Sequence, residues 1–367
     1  MCLEDAIGAM VERNEHGIVE IVGRHGSGKT LALRHLAAVL PPSPHVRVID
    51  LDDSEHADLA GYPADSLIIA DSIAIDSLSI RSLVVAIYPL AAWGDDELIE
   101  YLLAVHPERC GSVMARLRCS SERQLIPGIP ELWRIVLDRM AADESVVGVN
   151  EALRLELRLQ LAETKHRYMV RKYCLDYLTG FESRANKYLR TLSRHGTAAD
   201  LLRLIRHRCV QVLLAAEEIA SSLNASSDRY FSERGLPRDL MVEVAARLDH
   251  RGRDFLISMT TRDQPACHAT AASLLHAMDV GWRPESHPLP RLLGAYLAGA
   301  KWAGIDLSGA FLDRADLNGA DLTDANLNHA TAVGLRLAGA MLQGVSVEGG
   351  KTSQPACRFV QREFDLR

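Results

Sequence analysis

A period of five residues runs from Ala295 to Gly349 and limits what this chain can fold into more than any other feature. The first and third residues of all eleven pentads are apolar, although only 48% of the whole chain is apolar. Independent draws would produce this agreement about once in ten million chains. The third positions are Leu297, Trp302, Leu307, Leu312, Leu317, Leu322, Leu327, Ala332, Leu337, Leu342 and Val347, and the first positions are Ala295, Ala300, Ile305, Ala310, Ala315, Ala320, Ala325, Ala330, Leu335, Ala340 and Val345. Glycines at fixed spacing argue against an α-helix, so the period indicates a repeat architecture.

Two of the pentads, Ala315–Gly319 and Ala325–His329, match the pattern A(D/N)LXX directly. The segment therefore resembles the pentapeptide-repeat family, and this resemblance implies a short right-handed quadrilateral β-helix with four pentads per turn. One large side chain per pentad would point inward, and the alanine two places earlier would leave room for it. We expect Leu317 to point inward and Asn318 to face water. Eleven pentads make fewer than three turns, a stack of about 13 Å that needs a cap at its end.

A phosphate-binding motif lies near the start of the chain. Residues 23–30, GRHGSGKT, satisfy the pattern GxxxxGK[ST], with the apolar run Gly17–Val22 before them and the helix-forming run Leu31–Leu40 after them. The predicted binding residues are Gly23, Arg24, His25, Gly26, Ser27, Gly28, Lys29 and Thr30. Backbone N–H groups of such a loop and the following helix N-terminus attract phosphate. We expect Lys29 to reach the β- and γ-phosphates of a nucleoside triphosphate and Thr30 to ligate Mg²⁺.

Phosphoryl transfer also needs a carboxylate for the metal at the end of a strand, and two candidates fit. Asp71 follows the apolar run Leu67–Ala70, whereas Asp50 follows an earlier run and lies closer to Lys29 along the chain. We favour Asp71, as both catalytic residue and metal ligand, because the strand before Asp50 can then be the second strand of the sheet. Ser72 follows Asp71, so no adjacent second carboxylate can act as a base. Hydrolysis is therefore predicted to be slow or absent.

The spacing of apolar residues changes along the chain and predicts its domains. Residues 1–140 alternate strand-like and helical runs, which is typical of an α/β nucleotide-binding layer and, with the motif at 23–30, predicts a P-loop NTPase domain. Residues 141–290 show apolar residues at three- and four-residue spacing, which predicts an α-helical domain. The β-helix then occupies 291–350 and a C-terminal tail 351–367. The other predicted strands are His45–Leu51, Ser66–Ala70 and Leu83–Tyr88, and the helical runs of the middle domain are Glu151–Thr164, Ala199–Leu223 and Asp239–Leu248.

Composition sets limits on location and partners. The net charge of −7 gives no reason to expect a general nucleic-acid binder. The seven cysteines include no CxxC pair, so neither a zinc module nor a disulfide framework is indicated. Glu4 and Asp5 interrupt any signal peptide, and the longest apolar run, Leu83–Trp93, is only about half a membrane span. We therefore predict a cytoplasmic protein with no membrane partner.

The order of P-loop, compact lid, helical domain and repeat tail resembles the STAND class of signalling ATPases, the NACHT-like branch in particular. Gly128–Leu132 is similar to the GxP motif of their lid, and the resemblance implies that Pro130 packs on the adenine of ATP or ADP. The alternative is a simple helix entry with proline in the first turn. Ile205–Ala216 is similar to the H…xQEYLAA helix of NACHT proteins, although Val212 replaces its acid. The alternative there is an ordinary amphipathic helix.

The STAND resemblance implies an ATP-binding signalling switch with slow or partner-dependent hydrolysis, that is, a slow NTP hydrolase. It also implies a protein partner on the β-helix and the helical domain, and a homo-oligomer in the ATP state. The alternative from another class is a scaffold that keeps a nucleotide for stability and turns none over. A third alternative, a kinase acting on a small molecule or a nucleic acid, needs an acceptor base that the sequence does not reveal. Whether bound nucleotide exchanges would distinguish the signalling switch from the scaffold.

Overall fold

The computed structural model describes residues 3–23, 27–49, 65–71, 83–120, 126, 128–162, 166–194, 199–230, 235–262, 265–279, 281–286 and 288–348. The chain divides into two compact units, Met1–Glu163 and Thr164–Arg367. The division lies later than the boundary predicted at residue 140, because the helix Val149–Ala162 packs against the helix Pro130–Ala142 within the first unit. The second unit contains the remaining helices together with the pentads.

A parallel sheet forms the centre of the first unit. Its strands are β1 (Gly17–Val22), β2 (Val46–Ile49), β3 (Leu67–Asp71) and β4 (Val84–Pro89), in the order β2-β3-β1-β4. β1 has the predicted bounds, and the other three strands lie within two residues of their predicted positions in the described part of the chain. All three pairings are parallel, as the nearly unbroken apolar runs predict. The expectation that β4 is covered on both faces is wrong, because Val85 and Ile87 are exposed.

Two helices, α1 (Leu3–Glu12) and α2 (Lys29–Val39), cover one face of this sheet. The core between them and the strands consists of Ile7, Met10, Val19, Ile21, Leu33, Leu36, Leu67 and Ile69, all of which are buried. The strand residues in this set alternate and the helix residues recur every three positions, so each element presents one face to the core. Leu33 and Leu36 pack α2 against the sheet, and this packing holds its first residue, Lys29, at the end of the motif loop.

The described residues of the first unit contain four further α-helices: α3 (Asp95–Val105), α4 (Cys110–Cys119), α5 (Pro130–Ala142) and α6 (Val149–Ala162). We call them the lid helices because the STAND resemblance predicts a lid in this part of the chain. Arg116 of α4 stabilises the turn between α5 and α6 through two hydrogen bonds. Its Nη2 donates to the carbonyl of Met140 at 2.6 Å, and its Nη1 donates to the carbonyl of Val146 at 2.6 Å. The guanidinium thus satisfies carbonyl groups that a helix end leaves without partners.

The second unit begins with seven helices in its described residues. They are α7 (Arg167–Leu178), α8 (Glu182–Arg194), α9 (Ala199–Leu204), α10 (Arg208–Asn224), α11 (Arg238–Ala245), α12 (His250–Thr260) and α13 (Pro265–Met278). The stretch predicted as helical over Ala199–Leu223 is two helices, because His207 adopts an extended conformation. The buried Gln211 amide donates to the carbonyl of Ile205 at 2.9 Å and stabilises this break. Among the described helices, none is long and apolar enough to cross a membrane.

The pentads form a coil in which second-position residues make parallel bridges with the residue four pentads later. Examples are Arg291 with Phe311 and Tyr296 with Asp316, so each coil contains four pentads. The predicted inward residues are buried through most of the stack, and Leu317 is fully buried. α13 covers the first coil: Ser273 Oγ accepts the N–H of Tyr296 at 2.9 Å. The helical part of this unit therefore supplies a cap for the stack.

Asn318 faces water only in part. Its side chain is half-buried, and its Oδ1 accepts the N–H of Ala338, in the next coil, at 2.8 Å. Asp313 and Asn328, at the same place in their pentads, accept N–H groups of the next coil in the same way. This position therefore connects neighbouring coils instead of only facing solvent.

We expect Asn318→Ala to lower the free energy of unfolding of the second unit by about 1 kcal/mol, because it leaves one backbone N–H without its partner. Ser308→Ala is the matched control, since Ser308 holds the same place in an earlier pentad and its side chain has no hydrogen bond among the described residues. Urea denaturation followed by far-ultraviolet circular dichroism measures both. Equal losses from the two variants would contradict the coil-to-coil role.

Candidate functional site

The motif loop joins the end of β1 to the start of α2, as the pattern requires. α2 begins at Lys29, and Gly28 before it has φ 91° and ψ 17°. Gly23, Ser27, Gly28, Lys29 and Thr30 are described, whereas Arg24, His25 and Gly26 lie outside the described residues. The strand, loop and helix therefore stand in the arrangement in which a helix N-terminus can receive an anion.

Lys29 is the charged side chain of this loop that the structure describes. The residue is 7% exposed, and its Nζ donates to the carbonyl of Gly23 at 3.2 Å. No carboxylate lies within ion-pair distance of it among the side chains that the structure describes. Because a buried ammonium is costly unless an anion compensates it, this lysine favours a negatively charged ligand in the loop.

Ser27 provides a second polar group in the same loop. Its Oγ is buried and has no hydrogen-bond partner within the described part of the chain. A Cβ on Gly23 would overlap this oxygen, so a larger residue there would force the Ser27 hydroxyl to turn away. A buried hydroxyl without a partner costs free energy, and a phosphate oxygen would accept its hydrogen bond.

The sheet places the predicted metal ligand on the strand next to the loop. Asp71 ends β3, and its Cα pairs with Ile21, two residues before Gly23. The ends of parallel strands meet at one edge of a sheet, so the backbone of Asp71 and the loop share that edge. The alternative acid, Asp50, lies outside the described residues. It follows β2, which is one strand further from β1.

The Gly128–Pro130 segment is tied to the same edge through the loop after β4. Leu90 donates its N–H to the carbonyl of Val22 at 2.8 Å, and Trp93 donates its N–H to the carbonyl of Gly128 at 3.0 Å. Pro130 is the first residue of α5. The segment is thus a helix entry, and it is connected by these backbone hydrogen bonds to the start of the motif loop.

Gly128 has φ +62°, and a Cβ there would overlap the Cβ of Ala92. We therefore expect Gly128→Ala to lower the free energy of unfolding of the first unit by at least about 1–3 kcal/mol. Gly111→Ala is the matched control: Gly111 lies in α4 with open space around it, and alanine there should stabilise the helix by up to about 1 kcal/mol. Chemical denaturation of both variants tests this. A neutral Gly128→Ala would mean that the segment does not need its close contact with Ala92.

A polar cluster on the lid helices was not predicted from the sequence. Asp138 Oδ1 accepts the hydroxyl of Tyr101 at 2.8 Å and lies 2.9 Å from Nε2 of His106. Burial raises the pKa of the Tyr101 phenol, and the hydrogen bond to Asp138 acts in the same direction. Asp138 lies far along the chain from both partners, so no local pattern could reveal the cluster. The cluster joins α3 to α5.

The coil presents apolar side chains to solvent as well as to its core. Leu293, Tyr296, Phe311, Val333 and Met341 are large and exposed. Exposed apolar residues on a rigid stack of coils are suited to bind another protein, because burying them requires little ordering of the backbone. The repeats thus form a candidate contact surface.

Comparisons with known proteins bear on this second part of the chain. No curated protein matches the chain. The family model described as pentapeptide repeats matches residues 291–328 and 320–351, with eight copies of the repeat. The match, the five-residue period and the bridges between residues four pentads apart agree with one another, and residues 291–351 are therefore pentapeptide repeats.

Proposed function

We propose that the protein is an ATP-binding switch of the STAND type, with nucleotide in the Gly23–Thr30 loop and a protein partner on the pentapeptide repeats. The observation that carries the nucleotide part is Lys29: a buried ammonium that has no carboxylate partner among the described side chains, at the start of a helix. The buried hydroxyl of Ser27, which has no hydrogen-bond partner in the described part of the chain, supports the same conclusion.

Each residue of the loop would have one role. Lys29 would neutralise charge on the β- and γ-phosphates, and backbone N–H groups of the loop, including those of Arg24, His25 and Gly26, would bind phosphate oxygens. Thr30 and Asp71 would hold Mg²⁺, which when bound neutralises charge on the phosphates. Asp71 is preferred to Asp50 because β3 is the direct neighbour of β1.

Hydrolysis would be slow in the isolated chain. Asp71 is followed by Ser72, so the position next to the metal ligand offers no carboxylate to activate a water molecule. Electrostatic stabilisation of the transferring phosphoryl group supplies most of the rate in such sites, and the lack of one arginine alone costs about 10³–10⁵-fold. A protein partner could supply the carboxylate that activates water or an arginine that stabilises the transferring phosphoryl group.

The lid helices would respond to the nucleotide. The N–H of Trp93 donates a hydrogen bond to the carbonyl of Gly128, and the N–H of Leu90 donates one to the carbonyl of Val22, just before the motif loop. A change at the loop can therefore reach α5, which begins at Pro130. ATP and ADP would stabilise different positions of α5 if they contact Pro130 differently. The ATP state would form a homo-oligomer, and the repeats would recruit the protein partner.

The test is the turnover of the purified protein together with the exchange of its nucleotide. We expect phosphate release below about one per second, whereas kinases reach about 1–100 per second. Asp71→Ala should abolish the release that remains. We also expect bound nucleotide to exchange within minutes, and the mass in solution to differ between ATP and ADP.

Release faster than about one per second, or phosphate transfer to a metabolite, would contradict the switch and favour an enzyme. Nucleotide that stays bound without exchange would favour the scaffold. If neither ATP nor ADP binds, the nucleotide site itself is refuted.

A further inference from the structure

The positive charge of this chain is concentrated in one stretch. Residues 164–208 contain eleven Lys and Arg and only three Asp and Glu, in a chain whose net charge is −7. This stretch covers α7, α8 and α9 and the start of α10. The net charge of the whole chain gave no reason to expect a nucleic-acid partner, but it conceals this local excess of positive charge. Such an excess on a few neighbouring helices attracts polyanions.

Several of these bases are already engaged inside the unit. Arg171 binds Glu217 at 3.0 Å, and Arg208 binds Asp239 at 2.8 Å. Arg184 lies 3.6 Å from Asp176. Lys172 stands over the ring of Tyr230 at 4.0 Å, and burial lowers the pKa of its ammonium. These four side chains already have partners within the unit, although Arg184 and Arg208 are more than half exposed.

Three bases of α8 remain available. Lys187, Arg190 and Arg194 are exposed, and no carboxylate lies within ion-pair distance of them among the described residues. At 3.6 residues per turn they lie within about 60° of one another around the helix and span about 10 Å along it. The buried residues Ala185 and Leu192 lie on the opposite side. We call the three bases the α8 basic face.

The neighbours of the α8 basic face are polar. Ser183, Asn186 and Ser193 are exposed beside it, and uncharged side chains of this kind hydrogen-bond phosphate and sugar oxygens in protein–DNA complexes. Along the described residues of α8, no large apolar side chain is exposed that could serve as an anchor of the sort that dominates protein–protein affinity. The apolar side of α8 packs within the unit, so the described part of this helix offers no apolar side chain to insert into a bilayer.

From these observations we propose that the α8 basic face binds the phosphate backbone of a nucleic acid without sequence preference. Its length of about 10 Å corresponds to about three nucleotides of one strand. Arginine and lysine in a row match such a series of phosphates, and guanidinium groups can bind phosphate through two hydrogen bonds. The proposal concerns the second unit and does not depend on whether the motif loop binds ATP.

The test uses the full chain and a fluorescent duplex of random sequence, about 30 base pairs long, in an anisotropy titration at several salt concentrations. The variant is Lys187→Gln with Arg190→Gln and Arg194→Gln. We expect its dissociation constant to rise by at least about tenfold, and the slope of log affinity against log salt to fall by about three. Circular dichroism confirms that the variant is folded, which is expected because the three side chains are exposed.

The matched control removes the same charge elsewhere, with Arg118→Gln, Arg251→Gln and Arg253→Gln, three exposed bases outside α8. It should bind the duplex within about twofold of the unchanged protein. Equal losses in the two variants would show a general charge effect and overturn the proposal. No binding of the duplex at low salt would also overturn it, as would tighter binding of polyglutamate or of phosphatidylserine vesicles through the α8 basic face.

Discussion

Replacing Lys29 by alanine is expected to weaken the binding of Mg·ATP by at least about a hundredfold. Hydrogen bonds to charged groups contribute about 1.5–3 kcal/mol each, and Lys29 would make such bonds to two phosphate groups. Each 1.4 kcal/mol corresponds to about a tenfold change in affinity. Isothermal titration calorimetry of the purified protein, cleared of bound nucleotide, measures the effect.

Leu31→Ala is the control for this variant. Leu31 lies on the same helix and is 69% exposed, so its truncation should leave affinity unchanged. Lys29→Ala should not lower stability without nucleotide, since it removes a buried charge. Unchanged ATP affinity in the Lys29 variant would refute the phosphate site, and unfolding of the variant would mean that Lys29 mainly stabilises the loop.

The elements that the sequence predicts well are those whose pattern is local. The apolar run that ends before Gly23 defines β1, because a strand, a glycine-rich turn and a helix follow one another directly along the chain. The five-residue period likewise defines the coil, since each pentad repeats one local conformation. The bridges between successive coils then follow from four pentads per coil.

The contacts that the sequence does not reveal join distant residues. Asn318 accepts a hydrogen bond from Ala338, which no alternation of polar and apolar residues could indicate. The helix that periodicity alone would continue breaks at His207, and the hydrogen bond from the Gln211 amide to the carbonyl of Ile205 stabilises this break. Only tertiary packing determines these details.

In the candidate site, too, the sequence predicts the local features but not the contacts between distant residues. The motif predicts which residues surround the phosphate, and the structure places five of them at the junction of β1 and α2. The close contact of Gly128 with Ala92 could not be predicted, since it depends on how the lid helices return to the sheet. The α8 basic face was also missed, because a net charge averages over the whole chain.

Trp302→Ala is expected to give the largest loss of stability in the second unit. Trp302 is fully buried in the repeat core, at 0% exposure, and its Nε1 donates to the carbonyl of Trp282 at 2.6 Å. Truncation of a buried tryptophan costs about 3–5 kcal/mol, and the carbonyl left without its partner adds to this cost. Urea denaturation followed by far-ultraviolet circular dichroism measures the loss without depending on the removed fluorophore.

Two further variants separate the contributions to this loss. Trp302→Phe keeps most of the buried volume but removes the N–H group, so we expect an intermediate loss of about 1–3 kcal/mol. Phe311→Ala removes an aromatic ring that is 41% exposed, at the second position of a pentad, and should cost less than about 1 kcal/mol because it leaves no cavity. If Phe311→Ala costs as much as Trp302→Ala, the assignment of inward and outward positions in the coil is wrong. If all three variants lose little, the coil does not depend on its central side chains, and the packing of α13 against the first coil would have to hold the repeats in place.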